Sequence, residues 1–306
     1  MKIGIIGLGI NGSYIAYKLA RKGHDVTVFE QKKKIGGKPC SGLISERIWS
    51  FIPKKENLVL EEINFVKIHY PNIVVANFEP KMLVFDRLAL ERYLVKLAKE
   101  EGVEIKLGQS VTMVDLENFD RIIGCDGAMS ATRRNLNVKD PRFRLGVYTY
   151  INEISKEVET WPTRNGFCWK IPKGDKTEYG CLDSIGKANL EFERFCTKQR
   201  IIPKNIKSHL IPEGLRLSNK VFLCGDAAGL TKPWSGGGIV WGLTAADFLI
   251  NNFPNIRKYN RQMRRFFGLK IPFYRILTRV VRIFNKISVV NSRTIDSDFL
   301  FKKLRK

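Results

Sequence analysis

The glycine turn Gly7-Leu8-Gly9-Ile10-Asn11-Gly12 constrains the fold of this chain more than any other stretch. It follows an apolar strand and opens a helix, which is the context in which a G-x-G-x-x-G pattern carries information. There, Gly7 allows the tight turn, Gly9 lets the backbone approach a pyrophosphate, and Gly12 lets the helix pack against the strand. The stretch predicts a βαβ unit that binds a dinucleotide; the alternative is a strand-to-helix turn without a ligand.

An acidic residue follows this turn at a suitable distance. Glu30 ends the predicted second strand, 26–30, and stands 18 residues after Gly12. A carboxylate in this place accepts hydrogen bonds from the ribose of an adenosine. Glu30 therefore supports the interpretation of the glycine turn as a nucleotide site.

Two later strands end in an Asp and a Gly. The apolar stretch 121–125 leads into Asp126-Gly127 before a helix, and the stretch 220–224 leads into Gly225-Asp226. The run Gly236-Gly237-Gly238 then opens an apolar helix. Successive glycines at a helix start present backbone N–H groups to a flat or anionic ligand. The first Asp alone could be a helix cap, but the repetition of the pattern favours a shared binding site.

The middle of the chain predicts a second, mostly antiparallel sheet. Apolar and polar residues alternate over 63–70 and 73–78 around Pro71-Asn72, as in a hairpin. A helix over 87–101 would bury four leucines on one face. These are Leu88, Leu90, Leu94 and Leu97. The other predicted elements are strands over 103–107, 111–114, 145–152, 166–171 and 178–183 and a helix over 187–200.

These elements predict an α/β fold with α+β elements. A discontinuous Rossmann-like domain would comprise 1–60, 82–140 and 212–256, with its strands ending at the glycine-rich stretches. An antiparallel substrate-binding domain would comprise 61–81 and 141–211. The remainder, 257–306, would be a basic, amphipathic helical tail.

Positive charge is concentrated in that tail. The whole chain has a net charge of +23, and residues 257–306 hold 15 basic and two acidic residues. A helix over 272–290 would separate two faces. The basic face would hold Arg275, Arg279, Arg282 and Lys286, and the apolar face Phe273, Ile276, Leu277, Val280, Ile283, Phe284 and Ile287. Such a helix can lie on an anionic membrane surface or dock on the body with a solvated basic face. No recognition fold accompanies the charge, so we expect no nucleic-acid partner.

The cysteines and the hydropathy pattern indicate the cellular compartment of the protein. Six cysteines contain no C-x-x-C pair, which predicts reduced intracellular thiols and no metal site. No run reaches the roughly 18 apolar residues of a membrane span, and the chain starts directly with a strand, without room for a signal peptide. We therefore expect a cytoplasmic protein whose membrane contact, at the inner face of the cell membrane, is peripheral.

The three glycine-rich signatures together resemble the flavoproteins of the para-hydroxybenzoate hydroxylase structural group, which includes aromatic hydroxylases, halogenases and geranylgeranyl reductases. Two stretches favour the last family. Lys38-Pro39-Cys40-Ser41-Gly42 is similar to its cysteine-containing loop, and Phe167-Cys168-Trp169-Lys170-Ile171-Pro172 is similar to its Tyr-x-Trp-x-Phe-Pro motif, with Phe167 and Ile171 as replacements. The family's Pro three places before its Tyr falls at Arg164. The resemblance runs from residue 1 to about residue 265.

The resemblance implies FAD as the cofactor and assigns roles to individual residues. The cofactor-binding residues would be Gly7, Gly9, Gly12, Glu30, Cys40, Ser41, Gly42, Arg87, Val111, Asp126, Gly127, Gly225, Asp226, Gly237, Gly238 and Ile239. Among these, Gly12, Glu30 and Val111 would contact adenosine, and Arg87 and Asp226 the pyrophosphate. Phe167, Trp169 and Pro172 would contact substrate, whereas from the residues alone Trp169 is a core aromatic and Arg87 a solvated arginine.

The function implied is an FAD-dependent oxidoreductase that reduces prenyl (geranylgeranyl) double bonds of isoprenoid lipids at the membrane surface. An isolated alkene needs a proton at one carbon and a hydride at the other, and Cys40 is the candidate proton donor, with a purely positioning role as the alternative. The electron donor would be a ferredoxin or NAD(P)H. Two other functions stay open: a flavin-dependent monooxygenase of an aromatic or apolar substrate, and a non-catalytic prenyl-lipid carrier.

Overall fold

The computed structural model describes residues 1–69, 73–112, 114–283 and 294–299. Its strands are β1 (Lys2–Ile6), β2 (Asp25–Glu30), β3 (Leu43–Ser45), β4 (Val59–His69), β5 (Ile73–Phe85), β6 (Glu104–Leu107), β7 (Arg121–Gly124), β8 (Arg142–Ile151), β9 (Val158–Pro162), β10 (Phe167–Lys173), β11 (Lys176–Asp183), β12 (Lys207–Glu213), β13 (Phe222–Leu223) and β14 (Thr294–Ile295). Its helices are α1 (Ile10–Ala20), α2 (Arg87–Glu100), α3 (Ala131–Asn135), α4 (Ala188–Gln199), α5 (Ile239–Asn252), α6 (Ile256–Met263) and α7 (Lys270–Ile283).

Five parallel strands form the first sheet, in the order β13-β7-β1-β2-β6. Within it, Ile5 of the central strand β1 lies opposite Val28 of β2 and Ile123 of β7. These side chains are fully buried in a core that α1, α2 and α5 complete. Because parallel strands end at the same edge of a sheet, the glycine turn after β1 and the Asp-containing segments after β7 and β13 meet there.

The second sheet is mostly antiparallel, as predicted. Its strand order is β12-β8-β11-β10-β9-β4-β5-β14, and β3 pairs with β5. Only β4 with β9 and β5 with β14 are parallel among the described pairs. One face carries a buried apolar cluster that includes Met82, Tyr148 and Trp169, and α4 covers the other face. The predicted α/β fold class is thus confirmed; the turn at Pro71-Asn72 lies outside the described residues.

Helix α2 begins where the sequence predicts. The Asp86 carboxylate accepts hydrogen bonds from the N–H groups of Leu88 and Ala89, which caps the helix. Leu90 and Leu94 are fully buried, as expected. Leu88, by contrast, is 37% exposed, so its assignment to the buried face is wrong.

The sequence missed some strands and placed one wrongly. The unpredicted strands are β3, β9, β12 and β14; of these, β9 and β12 contain Pro162 and Pro212, which obscure a strand pattern. The predicted strand over 111–114 is wrong. There, the Asp115 carboxylate accepts hydrogen bonds from the N–H (2.6 Å) and hydroxyl (2.8 Å) of Thr112, and this local turn competes with an extended backbone.

The prediction that all cysteines are free thiols is contradicted. Cys168 and Cys181 form a disulfide with an S–S distance of 2.06 Å. The two residues lie directly opposite each other on β10 and β11, a pairing that depends on strand register and cannot be read from cysteine spacing. The remaining cysteines, Cys40, Cys125, Cys196 and Cys224, are free.

Helix α7 docks on the body, and the docked side mixes residues of the two predicted faces, since Leu277 packs on the core whereas Arg279 is exposed. Tyr274 is fully buried, and Arg275 of the predicted basic face pairs with the buried Glu213. Phe273 and Ile276 of the predicted apolar face are instead 52% and 63% exposed. The side chains of both predicted faces beyond Arg279 lie outside the described part of the chain. Among the described residues, no helix is long and apolar enough to cross a membrane.

Candidate cofactor and substrate site

The glycine turn has the predicted geometry. Gly7 has a φ of +100°, and its N–H donates to the Phe29 carbonyl at 2.7 Å. A Cβ on Gly12 would lie 1.9 Å from the Gly7 carbonyl oxygen, so the chain tolerates only glycine there. No atom of the described residues lies within 4 Å of the Cβ position of Gly9. This open space above the turn is a cradle that a pyrophosphate would fill.

The predicted adenosine contacts lie close together. The Glu30 carboxylate accepts hydrogen bonds from the N–H groups of Leu8 (2.9 Å) and Lys32 (3.0 Å), which fixes it beside the glycine turn. A carboxylate has further lone pairs, so it can still accept ribose hydroxyls. Val111 stands two residues after Gln109, whose N–H donates to the Glu30 carbonyl at 3.0 Å. The structure thus brings Glu30 and Val111 to the same end of the site.

An open cleft lies between the strand ends of the first sheet and the edge strand β12 of the second. The predicted residues that line it are Gly9, Cys40, Arg87, Gly127, Asp226, Gly238 and Ile239. The lining residues to which the sequence assigned no individual role are Ile10, Asn11, Lys38, Pro39, Cys125, His209, Ile211, Thr231 and Gly236. Ser41, Gly225 and Gly237 are chain neighbours of lining residues, and Gly42 lies two residues after Cys40. Three distant parts of the chain therefore meet here, as the sequence predicts.

The cleft carries positive charge at a point suited to an anion. Arg87 is buried and donates to Glu91 at 2.6 Å, while Lys38 pairs with Asp226 at 2.6 Å. Burial lowers the pKa of Arg87, but Cys40, Glu91 and Asp226 outweigh it, and the net pKa is raised. The N-termini of α1 and α5 also begin at lining residues and favour negative charge. This donor set, with the empty cradle over Gly9, fits the predicted FAD.

Asp126, a predicted cofactor residue, makes hydrogen bonds within its own segment of the chain. Its carboxylate accepts hydrogen bonds from the Ser130 hydroxyl at 2.5 Å and from the N–H and hydroxyl of Thr132, both at 2.9 Å. Ser130 caps α3 by accepting from the Arg133 N–H, and Asp126 fixes Ser130 and the first turn of the helix. Its neighbour Gly127 is the residue that reaches the lining.

His209 is a lining residue that the sequence analysis missed. Burial, with a contribution from Lys38, lowers its pKa to about 4, so the imidazole is neutral at pH 7. Its Nδ1 is buried without a hydrogen-bond partner among the described residues. The ring packs over Gly146 on β8. The one available signal was the rarity of histidine, since His209 is one of three in the chain.

The predicted cysteine loop connects the cleft to the second sheet. Cys40 is half-buried in the lining, and its Sγ accepts from the Gly42 N–H at 3.4 Å. The Ser41 carbonyl accepts from the Lys173 ammonium at 2.7 Å. Because Lys173 ends β10, this contact fastens the loop to the strand that carries the predicted substrate residues.

The predicted substrate residues lie on one strand of the second sheet. Trp169 is buried, and its indole N–H donates to the Glu178 carboxylate at 2.8 Å. Phe167 packs against the Trp169 ring with a centroid distance of 5.7 Å, and Pro172 is buried. Trp169 is therefore a core aromatic, and it stands in the apolar cluster on the face that α4 leaves uncovered.

A buried carboxyl group interrupts that apolar face. Glu178 is 1% exposed, and burial raises its pKa, with Lys173 and Trp169 opposing the shift. Tyr150 lies directly opposite Glu178 on the neighbouring strand β8. Burial, with a smaller contribution from Glu178, raises the pKa of the Tyr150 phenol. The apolar face thus holds a carboxyl group and a phenol that no sequence motif indicated, and burial favours the neutral form of both.

The comparisons with known proteins agree with this site. Residues 5–41, which contain the glycine turn, match the model of the NAD(P)-binding Rossmann-like domain. A digeranylgeranylglycerophospholipid reductase of Methanocella arvoryzae is 21% identical over 82% of this chain and 76% of its own length. The resemblance to the geranylgeranyl reductase family is confirmed.

Solved structures with the same fold support that resemblance. A geranylgeranyl bacteriochlorophyll reductase-like protein from Thermoplasma acidophilum has a TM-score of 0.77 at 17% identity, over 95% of this chain and 88% of its own. The myxobacterial chondrochloren halogenase, a variant of FAD-dependent halogenases, has a TM-score of 0.73 at 15% identity, over 90% of this chain and 81% of its own. At these identities the structural likeness shows the fold, which reductases and halogenases share.

Proposed function

We propose that this protein reduces prenyl (geranylgeranyl) double bonds of isoprenoid lipids at a membrane surface, with electrons from a ferredoxin or NAD(P)H. The general class of the enzyme is established: the protein is an FAD-dependent oxidoreductase of the geranylgeranyl reductase type. The choice of substrate follows the named relative, whose substrate is a digeranylgeranylglycerophospholipid. The choice of substrate also agrees with the apolar face of the second sheet, which carries Trp169.

One observation supports this choice most strongly. The cysteine loop in the cofactor cleft is bonded through Lys173 to the strand that carries Trp169. An apolar face therefore starts at the place where the cofactor's reactive ring is expected. A prenyl chain is apolar over its whole length, and burial against such a face stabilises it by about 25 cal/mol per Å².

For this reaction the protein must place the alkene next to the cofactor and supply a proton to one of its carbons. When bound and reduced, FAD supplies the hydride. The Cys40 thiol can hold the proton that the second alkene carbon needs, and the N-terminus of α5 at Gly238 favours negative charge in the cleft. The apolar face excludes water from the alkene.

Membrane contact is proposed from the outer surface of α7. Leu269, Phe273 and Ile276 are 82%, 52% and 63% exposed and follow one another at helical spacing. Exposed arginines, Arg265 and Arg279, flank them. Apolar side chains with basic neighbours are the pattern of a helix at an anionic membrane interface.

The test is an anaerobic hydrogenation assay. Chemically reduced protein is mixed with a geranylgeranylated phospholipid without oxygen, and the lipid mass is measured. The proposal predicts the addition of hydrogen pairs. No gain in mass, together with oxygen-dependent hydroxylation of an aromatic substrate, would contradict the proposal and favour a monooxygenase. A purified protein that is colourless and binds no added FAD would favour a lipid carrier.

The role of Cys40 is tested in the same assay. We expect Cys40→Ala to retain FAD and to lose about 10²-fold in hydrogenation rate, the typical contribution of a positioned proton donor. Cys196→Ala is the matched control, because Cys196 is a buried residue of α4, on the far face of the second sheet. Equal rates for the two variants would show that Cys40 does not supply the proton.

A further inference from the structure

The C-terminal segment Thr294–Phe299, which we call the strap, crosses the body next to the cofactor cleft. Its first two residues pair with Asn77 and Phe78 of β5. After them, Asp296 and Asp298 are 3% and 0% exposed. Two carboxylates with so little exposure need partners, since an isolated buried charge is strongly unfavourable.

The partners are two cations from separate parts of the chain. Arg47 donates to Asp296 through both terminal nitrogens, at 2.6 and 2.8 Å, and to Asp298 at 2.9 Å. The Lys232 ammonium donates to the other oxygen of Asp298 at 3.1 Å and to the Ser297 carbonyl at 2.9 Å. Asp298 therefore bridges Arg47 and Lys232.

Arg47 is connected through β3 to the cysteine loop, which forms one wall of the cofactor cleft. It lies in the 3-10 helix Glu46–Ser50, directly after β3, and the cysteine loop precedes β3. The Ser45 hydroxyl accepts from the Arg47 N–H at 3.2 Å and so fixes the start of this helix. A displacement of Arg47 would therefore reach Cys40 through a short, bonded stretch of chain.

Lys232 belongs to the opposite wall. Its N–H donates to the Gly237 carbonyl at 3.0 Å, and its carbonyl accepts from the Gly236 N–H at 2.8 Å. These two bonds close the loop that contains the glycine run before α5. The indole N–H groups of Trp234 and Trp241 add bonds from this wall to the carbonyls of Ser297 (3.3 Å) and Asp298 (2.9 Å).

We propose that Asp296 and Asp298 are positioning residues for the FAD site: by holding Arg47 and Lys232, the strap sets the separation of the two walls, so that strap docking and FAD binding stabilise each other. The proposal rests on the FAD-binding part of the proposed function and is independent of the lipid substrate. Coupling between two binding events is reciprocal, so each side of it can be measured.

The experiment measures FAD affinity by fluorescence titration of apoprotein variants. For Asp298→Asn we expect an FAD dissociation constant at least about tenfold above that of the wild type, within the usual range of coupling between sites. Lys232→Met should behave likewise, whereas Lys232→Arg keeps the charge and the donor and should restore most of the affinity. Glu153→Gln is the control, because it removes an ion pair with Lys170 on β10, four strands away from β14 in the second sheet.

A second measurement does not depend on any variant. Hydrogen exchange of the wild type should slow in the peptide that contains residues 294–299 when FAD is added. Folded Asp298→Asn protein with unchanged FAD affinity, or equal exchange in this peptide with and without FAD, would overturn the inference. A loss of affinity in Glu153→Gln as large as in Asp298→Asn would do so too. A wild type that binds no FAD would contradict the proposed function itself.

Discussion

Single residues around the cleft show how burial sets chemistry. His209, Arg87 and Glu178 all lose water on folding, but only at Arg87 do the neighbouring groups outweigh the effect of burial on the pKa. Burial therefore favours the neutral form of His209 and of Glu178. In these neutral forms both side chains can take part in hydrogen bonds inside the protein.

His209 makes the stability of the protein depend on pH. Its pKa is lowered from 6.5 to about 4 in the folded protein. Between these values the unfolded chain binds a proton that the folded protein does not, so the free energy of unfolding falls as the pH falls. We expect a loss of up to about 3 kcal/mol from this group, measured by urea denaturation across that pH range.

The matching variant is His209→Gln, which should lose this part of the pH dependence. His24→Gln serves as the control, because His24 directly precedes β2 and does not line the cleft. If His209→Gln and the wild type lose stability in parallel as the pH falls, His209 is not the group responsible.

Among the elements, α7 shows what helical periodicity can and cannot predict. The spacing predicts a helix with two faces, but the side that docks on the body contains a residue of each predicted face, Arg275 and Leu277. Glu213 decides this, because a buried carboxylate on β12 attracts Arg275 inward and leaves Phe273 and Ile276 outside. The sequence of the helix alone cannot predict a contact between residues so far apart in the chain.

The outward orientation of α7 gives a binding prediction. The double variant Phe273→Asp, Ile276→Asp should bind vesicles that contain phosphatidylglycerol at least about tenfold more weakly than the wild type, since it removes two apolar side chains from the proposed contact. Co-sedimentation with vesicles measures this. Ile202→Asp is the control, since Ile202 is 80% exposed in a loop elsewhere. Equal binding by the double variant and the control would exclude α7 as the contact.

At the scale of the whole molecule, local patterns predicted the parallel sheet and the three glycine-containing segments that follow its strands at one edge. Strands such as β1 and β2 are apolar and bounded by glycine, so their sequence alone identifies them. β12 and β14 could not be found in this way, because they are edge strands whose pairing with β8 and β5 is long-range. Because these two strands were not predicted, the sequence analysis also missed His209 on β12 and the strap that begins with β14. The domain boundaries stay a prediction.

The disulfide gives a prediction for the whole fold. Thiol titration of the unfolded, unreduced protein should find the four free cysteines, and two more after reduction. Because Cys168 and Cys181 enclose a short loop, reduction should lower the free energy of unfolding by about 3 kcal/mol. Chemical denaturation with and without reductant measures this. A count of six reactive thiols before reduction would contradict the bond.

The same bond has a kinetic consequence. Both sulfur-bearing residues are at most 3% exposed, under the aromatic side chains of α4. Thiol–disulfide exchange needs access to a sulfur atom, so a reductant can attack only while α4 is transiently detached. Whichever oxidation state the pair has when the sheet closes will persist long after the surroundings change. The oxidation state of this cysteine pair in each molecule therefore reflects the redox conditions under which that molecule folded.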